Sequence, residues 1–427
     1  MQVKKMRHDA LIPKFEIRLP AARAIRAAAL TSWTGERRRR QWRRRITFVL
    51  LVLPSFVVAK AASEPALVDY EGRIGHIAKL RDGRLVTVYT LGRDRKEIPL
   101  PGPEQPLYIR YSDDHGLTWS RERVAFSYPA GRGTMFRYEQ SVGPYLLLDR
   151  RNTLHLFAMR YFGLPRKGDP AAIGLTELYH NVSRDGGETW TVPKRIDMGH
   201  HYVPVIESII ELSNGRILFS SNYATDNYLA ERGEYEYHIL TLFSSDHGET
   251  WELGDDDIRV PLGPGLGHPG AIEPVMAELG DGRVWMLFRS QYGRLYQTFS
   301  PDGGSSWEPS TPSDIRAANA PAGILRLSDG RLVLSWNDWA NYPGGEIHRS
   351  GRQYLHAAIS DDDGKSWSAS KLIAKPSTKE PRNAHMRYPF LCETGDGSIL
   401  LRYHRIERSI DVNRRDLLRI DPAWIAE

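Results

Sequence analysis

The sequence predicts an all-β fold, a six-bladed β-propeller, and two short repeats that alternate along its 427 residues carry this prediction. The first repeat, Ser-x-Asp-x-Gly-x-(Ser/Thr)-Trp, occurs five times. The second is a hairpin turn of the Asp-Gly or Asn-Gly type between runs of β-forming residues. One repeat of each kind supplies two of the turns that connect four short strands. Four such strands make one propeller blade. Six such units therefore predict six blades.

Each copy of the first repeat predicts a tight turn that ends in a tryptophan. The Asp side chain can hydrogen-bond its own backbone, and the Gly supplies the positive φ that such a turn needs. The Trp ring then buries a large apolar area where the turn meets its neighbours. We expect each copy to join the third and fourth strands of a blade. The five copies span residues 112–119, 183–190, 244–251, 300–307 and 360–367.

The second repeat predicts the hairpin between the first and second strands of each blade. Five copies and one degenerate copy occur: Asp82-Gly83, Asn214-Gly215, Asp281-Gly282, Asp329-Gly330, Asp396-Gly397 and the degenerate 149–152. The sixth unit lacks the Trp-ending repeat and finishes instead in the strand-like run 414–420, as a terminal repeat often does. Helix signals are nearly absent, and residues 421–425 predict one short helical turn.

Composition restricts the possible functions. The net charge is +6, but the first 45 residues hold 14 Lys and Arg against three Asp and Glu, so the chain from residue 62 onward is net acidic. A net acidic body gives no electrostatic support to nucleic-acid binding. Cys392 is the only cysteine, which rules out an intramolecular disulfide and a cysteine-based metal site, and it lies in an apolar run that predicts a buried thiol. No metal-ligand spacing or nucleotide loop stands out, and we expect no cofactor.

The N-terminal 61 residues are interpreted as a basic extension and export signal, followed by the propeller at residues 62–427. A block of seven arginines within 37–45 precedes the apolar run 46–59, and Ala59-Lys60-Ala61 reads as a cleavage site. The run is short for a membrane span and contains Pro54. We therefore expect a periplasmic or secreted protein, with a signal anchor as the alternative. The pattern leaves open the true start codon and the choice between general and twin-arginine export.

The innermost strands of a propeller surround a central channel, so residues where those strands begin converge on one mouth of it. Counting back eight to ten residues from each turn glycine finds four side chains capable of chemistry: Arg73, Glu207, Glu273 and Tyr388. Their recurrence at this one place predicts a site at the mouth of the channel. Glu207 receives no role.

The five Trp-ending repeats, known as Asp boxes, resemble those of the sialidase (BNR-repeat) family of β-propellers, over about residues 66–425. The family begins one strand with Glu-Pro, as at Glu273-Pro274, and has an arginine sixteen residues later, here Arg289. Arg352 lies fifteen residues before Trp367, at the spacing of the family's third arginine. Tyr388, eight residues before the turn Asp396, has the spacing of the nucleophile.

The resemblance implies an exo-α-sialidase-like retaining glycoside hydrolase. It makes Tyr388 the nucleophile, Glu273 the base that activates it, and Glu97 the acid/base candidate, with Asp94 as the fallback. The substrate-binding residues that it implies are Arg73, Arg93, Arg289 and Arg352. Taken singly, these residues have ordinary structural explanations as salt bridges, solvated loops or core aromatics. The functional interpretation depends on their joint agreement with one pattern.

The chemistry explains these residue types. Sialic acid carries a carboxylate on its anomeric carbon, and planar guanidinium groups bind a carboxylate through two hydrogen bonds. A carboxylate nucleophile would be repelled by that anionic centre, whereas a neutral phenol is not, provided that a nearby carboxylate accepts its proton. The expected partner is a sialylated or other acidic glycan, with no nucleic acid and no stable membrane span after signal removal.

The chain departs from the family pattern in two places, and two other functions stay open beside a sialidase. The chain has Gly72-Arg73-Ile74-Gly75 where the family has an aromatic residue, Arg, Ile and Pro, and Tyr403 is followed by His404 where the family often has Glu. Some propeller lyases use His and Tyr to abstract a proton beside a uronate carboxylate. Such a lyase is the first alternative, with candidate histidines His76, His200, His201 and His268. A non-catalytic glycan-binding propeller is the second.

Overall fold

The computed structural model shows a six-bladed β-propeller, as predicted. It describes residues 62–90, 105–128, 134–135, 144–163, 168–171, 174–206, 208–255, 257–263, 267–338, 351–377 and 384–427. The predicted export signal lies outside the described residues, as do Arg93, Asp94, Glu97 and Glu207. The signal and the domain boundary at residue 62 therefore stay predictions.

The described strands form six antiparallel sheets. Strand β1 (Ala66–Leu67) precedes blade 1, which consists of β2 (His76–Lys79), β3 (Leu85–Tyr89), β4 (Gln105–Ser112) and β5 (Arg123–Tyr128). Blade 2 consists of β6 (Thr134–Met135), β7 (Tyr145–Leu148), β8 (Leu154–Gly163), β9 (Leu175–Ser183) and β10 (Lys194–Ile196). Blade 3 consists of β11 (Ser208–Glu211), β12 (Ile217–Leu229), β13 (Glu234–Ser244) and β14 (Glu252–Leu253).

The second half of the chain repeats the same plan. Blade 4 consists of β15 (Ile272–Glu278), β16 (Val284–Arg289), β17 (Arg294–Ser300) and β18 (Thr311–Arg316). Blade 5 consists of β19 (Gly323–Arg326), β20 (Leu332–Trp336), β21 (Leu355–Ser360) and β22 (Lys371–Ala374). Blade 6 contains β23 (Ala384–Glu393), β24 (Ile399–Glu407) and β25 (Val412–Ile420), and the short helix α1 (Pro422–Ala426) follows it.

The ring closes through its first strand. Blade 6 has the order β23-β24-β25-β1, so β1 supplies the outermost strand that the sixth sequence unit lacks. Ala66 pairs with Arg419, and Leu67 pairs with Leu418. Closure of this kind covers an open sheet edge and joins the two ends of the propeller. The sequence predicted β25, in the run 414–420, but it did not predict that β1 would be the outermost strand of blade 6.

The turns between the first and second strands share one hydrogen-bond pattern. In blade 4 the Leu279 N–H donates to the Arg283 carbonyl at 2.8 Å, and the Gly282 N–H donates to the Leu279 carbonyl at 3.0 Å. Gly282 has φ +86°, which glycine adopts without steric cost. The degenerate turn of blade 2 makes the same bonds with Asn152 in the glycine position, at φ 64°. Asn is among the few side chains that tolerate this conformation.

The Asp boxes fold as predicted. In blade 2 the Ser183 hydroxyl accepts from the Gly187 N–H at 2.8 Å and donates to the Asp185 carboxylate at 2.7 Å. Asp185 also accepts from the Thr189 N–H at 2.9 Å, and the Trp190 indole donates to the Gly187 carbonyl at 3.2 Å. Burial opposes ionisation, but the hydrogen bonds from threonine and serine together outweigh it and lower the pKa of Asp185 to about 2.

The innermost strands β2, β7, β11, β15, β19 and β23 enclose an axial cavity of about 490 Å³. At the turn end of the ring, glutamates that finish inner strands brace the turns of preceding blades. Glu278 accepts from the Ser213 N–H at 2.7 Å, and Glu393 accepts from the Ser328 N–H at 3.0 Å. Cys392, on the same inner strand as Glu393, is buried as expected. These contacts fix the last residues of the inner strands, and the candidate site lies toward the opposite mouth, from which those strands begin.

Candidate active site

Glu273 and Tyr388 occupy the same position in blades 4 and 6. Each lies on its inner strand eight residues before the turn aspartate, has φ 55°, and is followed by a proline. The strand pairing shifts register at each residue, which marks a β-bulge. A side chain in the left-handed region costs on the order of 1–3 kcal/mol and persists where its surroundings over-determine it. The two bulges take both side chains out of the normal alternation at the channel mouth.

The two side chains meet there. The Tyr388 hydroxyl donates to Oε1 of Glu273 at 2.9 Å. The other carboxylate oxygen, Oε2, lies 2.5 Å from Nε of Arg289 as an ion pair. Both Glu273 and Arg289 are 4% exposed, so water screens this pair poorly. The carboxylate is thus held by a guanidinium on one side and can accept a phenolic proton on the other.

The electrostatics set the resting protonation state. Burial would raise the pKa of Glu273, but the charges of Arg289 and Arg352, with the hydrogen bond from Tyr388, hold it below its ordinary value. Burial, and then the negative charge of Glu273, raise the pKa of Tyr388 despite the neighbouring arginines. The resting pair is therefore an ionised carboxylate and a neutral phenol. The phenol is a nucleophile only as its proton passes to Glu273.

Asn319 holds the two buried arginines beside this pair. Its backbone carbonyl accepts from Nε and Nη2 of Arg352, at 3.2 and 2.8 Å. Its side-chain oxygen accepts from Nη1 of Arg289 at 2.5 Å, and its amide nitrogen donates to the His268 carbonyl at 3.1 Å. One asparagine therefore sets the positions of both guanidinium groups.

Two further asparagines fix the strands that carry the pair. The side-chain oxygen of Asn222 accepts from the Glu273 N–H at 3.0 Å, at the bulge itself. The amide nitrogen of Asn337 donates to the Met386 carbonyl at 2.8 Å, two residues before Tyr388, and to the Tyr354 carbonyl at 2.9 Å. The backbone beside both reacting groups is thus tied to neighbouring blades.

Sequence reasoning missed these asparagines and Arg387, whose guanidinium carbon lies 5.2 Å from the centroid of the Tyr388 ring. A signal for two of the asparagines was present. Asn222, Arg289 and Asn337 each lie seven residues after the turn glycine of their blade. Asn222 lies within the long strand β12, Arg289 ends β16, and Asn337 directly follows β20. This position reaches the mouth of the channel beside the start of the inner strand. Polar residues recurring there predict the surroundings of the site.

The structure brings together four of the predicted site residues, Glu273, Arg289, Arg352 and Tyr388. Arg73 lines a separate crevice of about 250 Å³ between residues 67–74 and strands β24 and β25 of blade 6. Nη1 of Arg73 donates there to the Thr90 carbonyl at 3.4 Å. The remaining candidates, Arg93, Glu97 and Asp94, lie outside the described residues. The geometry therefore covers the nucleophile, its base and two arginines.

The histidines considered for a lyase have other surroundings. The His76 ring packs 3.6 Å from that of Tyr145, inside the axial cavity. The His200 ring stacks 3.5 Å from that of Tyr223, and His268 pairs with Glu234 at 2.9 Å. The hydroxyl of Tyr388 is bonded to a carboxylate and not to one of these imidazoles. This arrangement suits a phenol that gives up its proton to Glu273.

Within the described ranges, no group of three or more His, Cys, Asp or Glu side chains is arranged to hold a metal ion. In the same part of the chain, no helix has the length and apolar character needed to cross a bilayer. Three guanidinium groups, those of Arg289, Arg352 and Arg387, and one carboxylate, that of Glu273, act electrostatically on Tyr388. The surplus of positive charge beside Tyr388 favours an anionic ligand.

Comparisons with known proteins identify the family of this chain. Residues 104–401 match the family described as a BNR repeat-like domain. A sialidase from Micromonospora viridifaciens is 28% identical over 354 residues, which cover 78% of this chain and 49% of that protein. A sialidase from Clostridium perfringens is 26% identical over 260 residues, covering 55% of this chain and 60% of that protein. The chain thus spans only about half the length of the first relative.

Among solved structures, the Hadza microbial sialidase Hz136 superimposes with a TM-score of 0.60 at 19% identity, covering 83% of this chain and 66% of that one. At this identity the structural likeness shows the fold and leaves the activity to be argued from the site.

Proposed function

The chain belongs to the sialidase and BNR-repeat superfamily of β-propellers, and from that premise we propose that it is an exo-α-sialidase-like retaining glycoside hydrolase. Its substrate would be a glycoconjugate ending in sialic acid or a related acidic sugar. One observation carries the proposal: the Tyr388 hydroxyl lies 2.9 Å from a buried glutamate, and buried arginines surround the pair. Two relatives that match the chain are sialidases.

In the proposed reaction, Arg289 and Arg352 bind the carboxylate on the anomeric carbon, and Arg73 and Arg93 contribute further substrate contacts. Guanidinium groups suit this role because they stay charged at any working pH and match the planar carboxylate. Binding the anion at this point also places the anomeric carbon near the Tyr388 oxygen. Orientation of this kind lowers the barrier before any bond changes.

In the first chemical step, the Tyr388 oxygen attacks the anomeric carbon while its proton passes to Oε1 of Glu273. The bond from that carbon to the departing oxygen breaks, and Glu97, or Asp94 in its place, protonates the leaving group. In the second step water, deprotonated by the same acid/base residue, attacks the anomeric carbon. The Tyr388 oxygen leaves and recovers its proton from Glu273. Two inversions give net retention of configuration.

A tyrosine suits this reaction for an electrostatic reason. The anomeric carbon carries the substrate carboxylate, so an ionised Asp or Glu nucleophile would approach a like charge. Tyr388 approaches as a neutral phenol, and its negative charge develops only as Glu273 is neutralised. The proton thus passes from Tyr388 to Glu273 while the new bond forms, so no free phenolate has to exist beside the substrate carboxylate beforehand.

The test is an assay on a fluorogenic aryl α-sialoside with an aryl uronide as the control, followed by proton NMR of the first sugar released. We expect hydrolysis of the sialoside and initial release of the α-anomer. Initial release of the β-anomer would contradict the retaining mechanism. Cleavage of a uronate-containing glycan to an unsaturated product that absorbs in the ultraviolet would favour the lyase alternative.

We further propose that the protein is exported and that its mature chain begins near Ala62. The motivation is the basic block, apolar run and Ala-Lys-Ala sequence that precede this residue. N-terminal sequencing of the protein recovered from a periplasmic or culture fraction tests this. An intact Met1 on cytoplasmic protein contradicts it.

A further inference from the structure

A third arginine of the site, outside the predicted set, lies against the Tyr388 ring. The guanidinium carbon of Arg387 is 5.2 Å from the ring centroid, and that of Arg352 is 6.0 Å from it. Both distances fall in the range of attraction between a cation and an aromatic face. The proposed nucleophile is therefore in contact with two guanidinium groups, and only one of them was predicted to bind substrate.

The bulge explains how neighbouring side chains come to share this place. Consecutive side chains of a regular strand point to opposite faces. Pairing of β23 with β24 is regular through Arg387 and resumes at Phe390, so Tyr388 falls in the irregular stretch, at φ 55°. This change of direction lets the guanidinium of Arg387 lie beside the ring of the next residue. The arrangement depends on the bulge.

Arg387 also belongs to a row of side chains across blade 6. It pairs with His404 of β24, and His404 pairs with Arg415 of β25. Residues directly opposite each other in antiparallel strands share a face of the sheet. Burial, with the charges of Arg387 and Arg415 among others, lowers the pKa of His404 to about 3. The imidazole is thus neutral at physiological pH, and the row presents positive charge from its arginines.

We propose that Arg387 is a positioning residue for Tyr388: its guanidinium fixes the ring and stabilises the negative charge that develops on the phenolic oxygen. This inference rests on the proposed function. When the Tyr388 proton moves to Glu273, the carboxylate loses its charge, while Arg387 keeps its own. The same charge would ease departure of the tyrosine oxygen in the second step. Arg387 acts through the tyrosine, so its removal should lower kcat and leave KM nearly unchanged.

The surrounding charges support this assignment. The groups acting on Tyr388 are Glu273, which raises the phenol's pKa, and Arg352, Arg289 and Arg387, which lower it. Arg289 is engaged by Glu273 and Asn319, and Arg352 by the Asn319 carbonyl. Both are also the proposed ligands of the substrate carboxylate. Arg387 is the third cation that acts on Tyr388, and its guanidinium carbon lies nearer the ring centroid than that of Arg352, at 5.2 Å against 6.0 Å.

The first experiment compares Arg387→Gln and Arg387→Lys in the full-length protein on an aryl α-sialoside. Arg195→Gln is the matched control, since Arg195 is an exposed arginine of blade 2 that pairs with Glu177. We expect kcat of Arg387→Gln to fall about tenfold or more, because the variant lacks the charge that stabilises the developing phenolate. KM should change less than about twofold, and Arg387→Lys should recover part of the rate. A raised KM with unchanged kcat would overturn the proposal, because Arg387 would then be contacting substrate.

The second experiment needs no substrate. A fluorotyrosine is placed at position 388 by site-specific incorporation, and its ionisation is followed by fluorine NMR with and without Arg387→Gln. We expect the variant to ionise at higher pH, and Arg387→Lys to lie between the two. Equal titration curves in proteins with matching circular dichroism would sink the inference. Lack of sialoside hydrolysis by the parent protein would count against the proposed function alone, since the titration still decides the role of Arg387.

Discussion

Glu273 and Tyr388 stand at the same backbone position of two different blades, each with φ 55° and each followed by proline, and their side chains meet at 2.9 Å. The same β-bulge thus occurs in both blades, and only the residue type at the bulge differs. In blade 4 the bulge presents a carboxylate, and in blade 6 it presents a phenol. A base and a nucleophile are built from equivalent positions because a propeller directs equivalent positions of all its blades toward one axis.

Replacing Tyr388 with Phe removes the phenolic oxygen and keeps the ring. We expect the protein to fold, with a thermal midpoint near that of the parent, while sialoside hydrolysis falls on the order of 10³-fold or more. A fluorinated sialosyl analogue should label the parent at Tyr388, as read by mass spectrometry of the digested protein. Turnover at the parent rate, or an adduct on another residue, would remove Tyr388 from the mechanism.

Glu273→Gln should impair the same step, because an amide cannot take the phenolic proton. The double variant with Tyr388→Phe should be little worse than either single variant, since the two residues act as one unit. The pKa of Glu273 is lowered, so the carboxylate is ionised at neutral pH and the rate should fall only as the pH drops through that lowered value. If the fall of kcat/KM at low pH is unchanged in Glu273→Gln, that fall belongs to the titration of another group.

Arg352→Lys should weaken substrate binding although lysine keeps the positive charge. An ammonium group cannot reproduce the planar fork that grips both carboxylate oxygens, nor the two bonds to the Asn319 carbonyl. The ratio of the two kcat/KM values should correspond to a loss of about 1.5–3 kcal/mol of transition-state stabilisation, which fits one charge-assisted hydrogen bond. Kinetic constants equal to those of the parent would place Arg352 outside the substrate pocket.

Asn319→Ala tests the role of Arg289 separately from that of Arg352. It removes the side-chain acceptor for Arg289 and keeps the backbone carbonyl that holds Arg352. We expect kcat/KM to fall about tenfold, the effect of losing one buried hydrogen bond to a charged group. Asn227→Ala, at a residue that bonds Glu236 on the blade 3 hairpin, is the control and should be near neutral. Equal effects of the two variants would indicate a general structural cost.

Asp185→Asn tests how the Asp boxes hold the fold. The folded pKa of Asp185, about 2, lies below the ordinary value near 3.9, so ionisation stabilises the folded state above about pH 4. That contribution is lost as the pH falls toward 2. Urea unfolding should therefore show the variant less stable than the parent at pH 6, with the gap closing as the pH is lowered. Asp113→Asn, at an exposed box position of blade 1, is the matched control. A gap that is independent of pH would contradict this account.

The sequence by itself determined the number of blades and the place of their turns. An Asp box is closed by bonds from Ser183 and Thr189 to Asp185, within a few residues, so its pattern can be read locally. The turn glycines are equally local, because a positive φ is a property of one residue. The same register predicts where the inner strands begin, so it places Glu273 and Tyr388 near one mouth of the channel, and the family resemblance then implies their roles.

Only the tertiary structure decided which side chains meet. The strand that completes blade 6 comes from residues 66–67, more than 340 residues from its partner, and no local pattern specifies that pairing. The contacts of Tyr388 with Glu273, of Asn319 with Arg289 and Arg352, and the surplus of positive charge around them join residues of different blades. Their distances follow from ring closure and the two bulges. Local chemistry sets each turn, whereas the site is set by how six blades close around one axis.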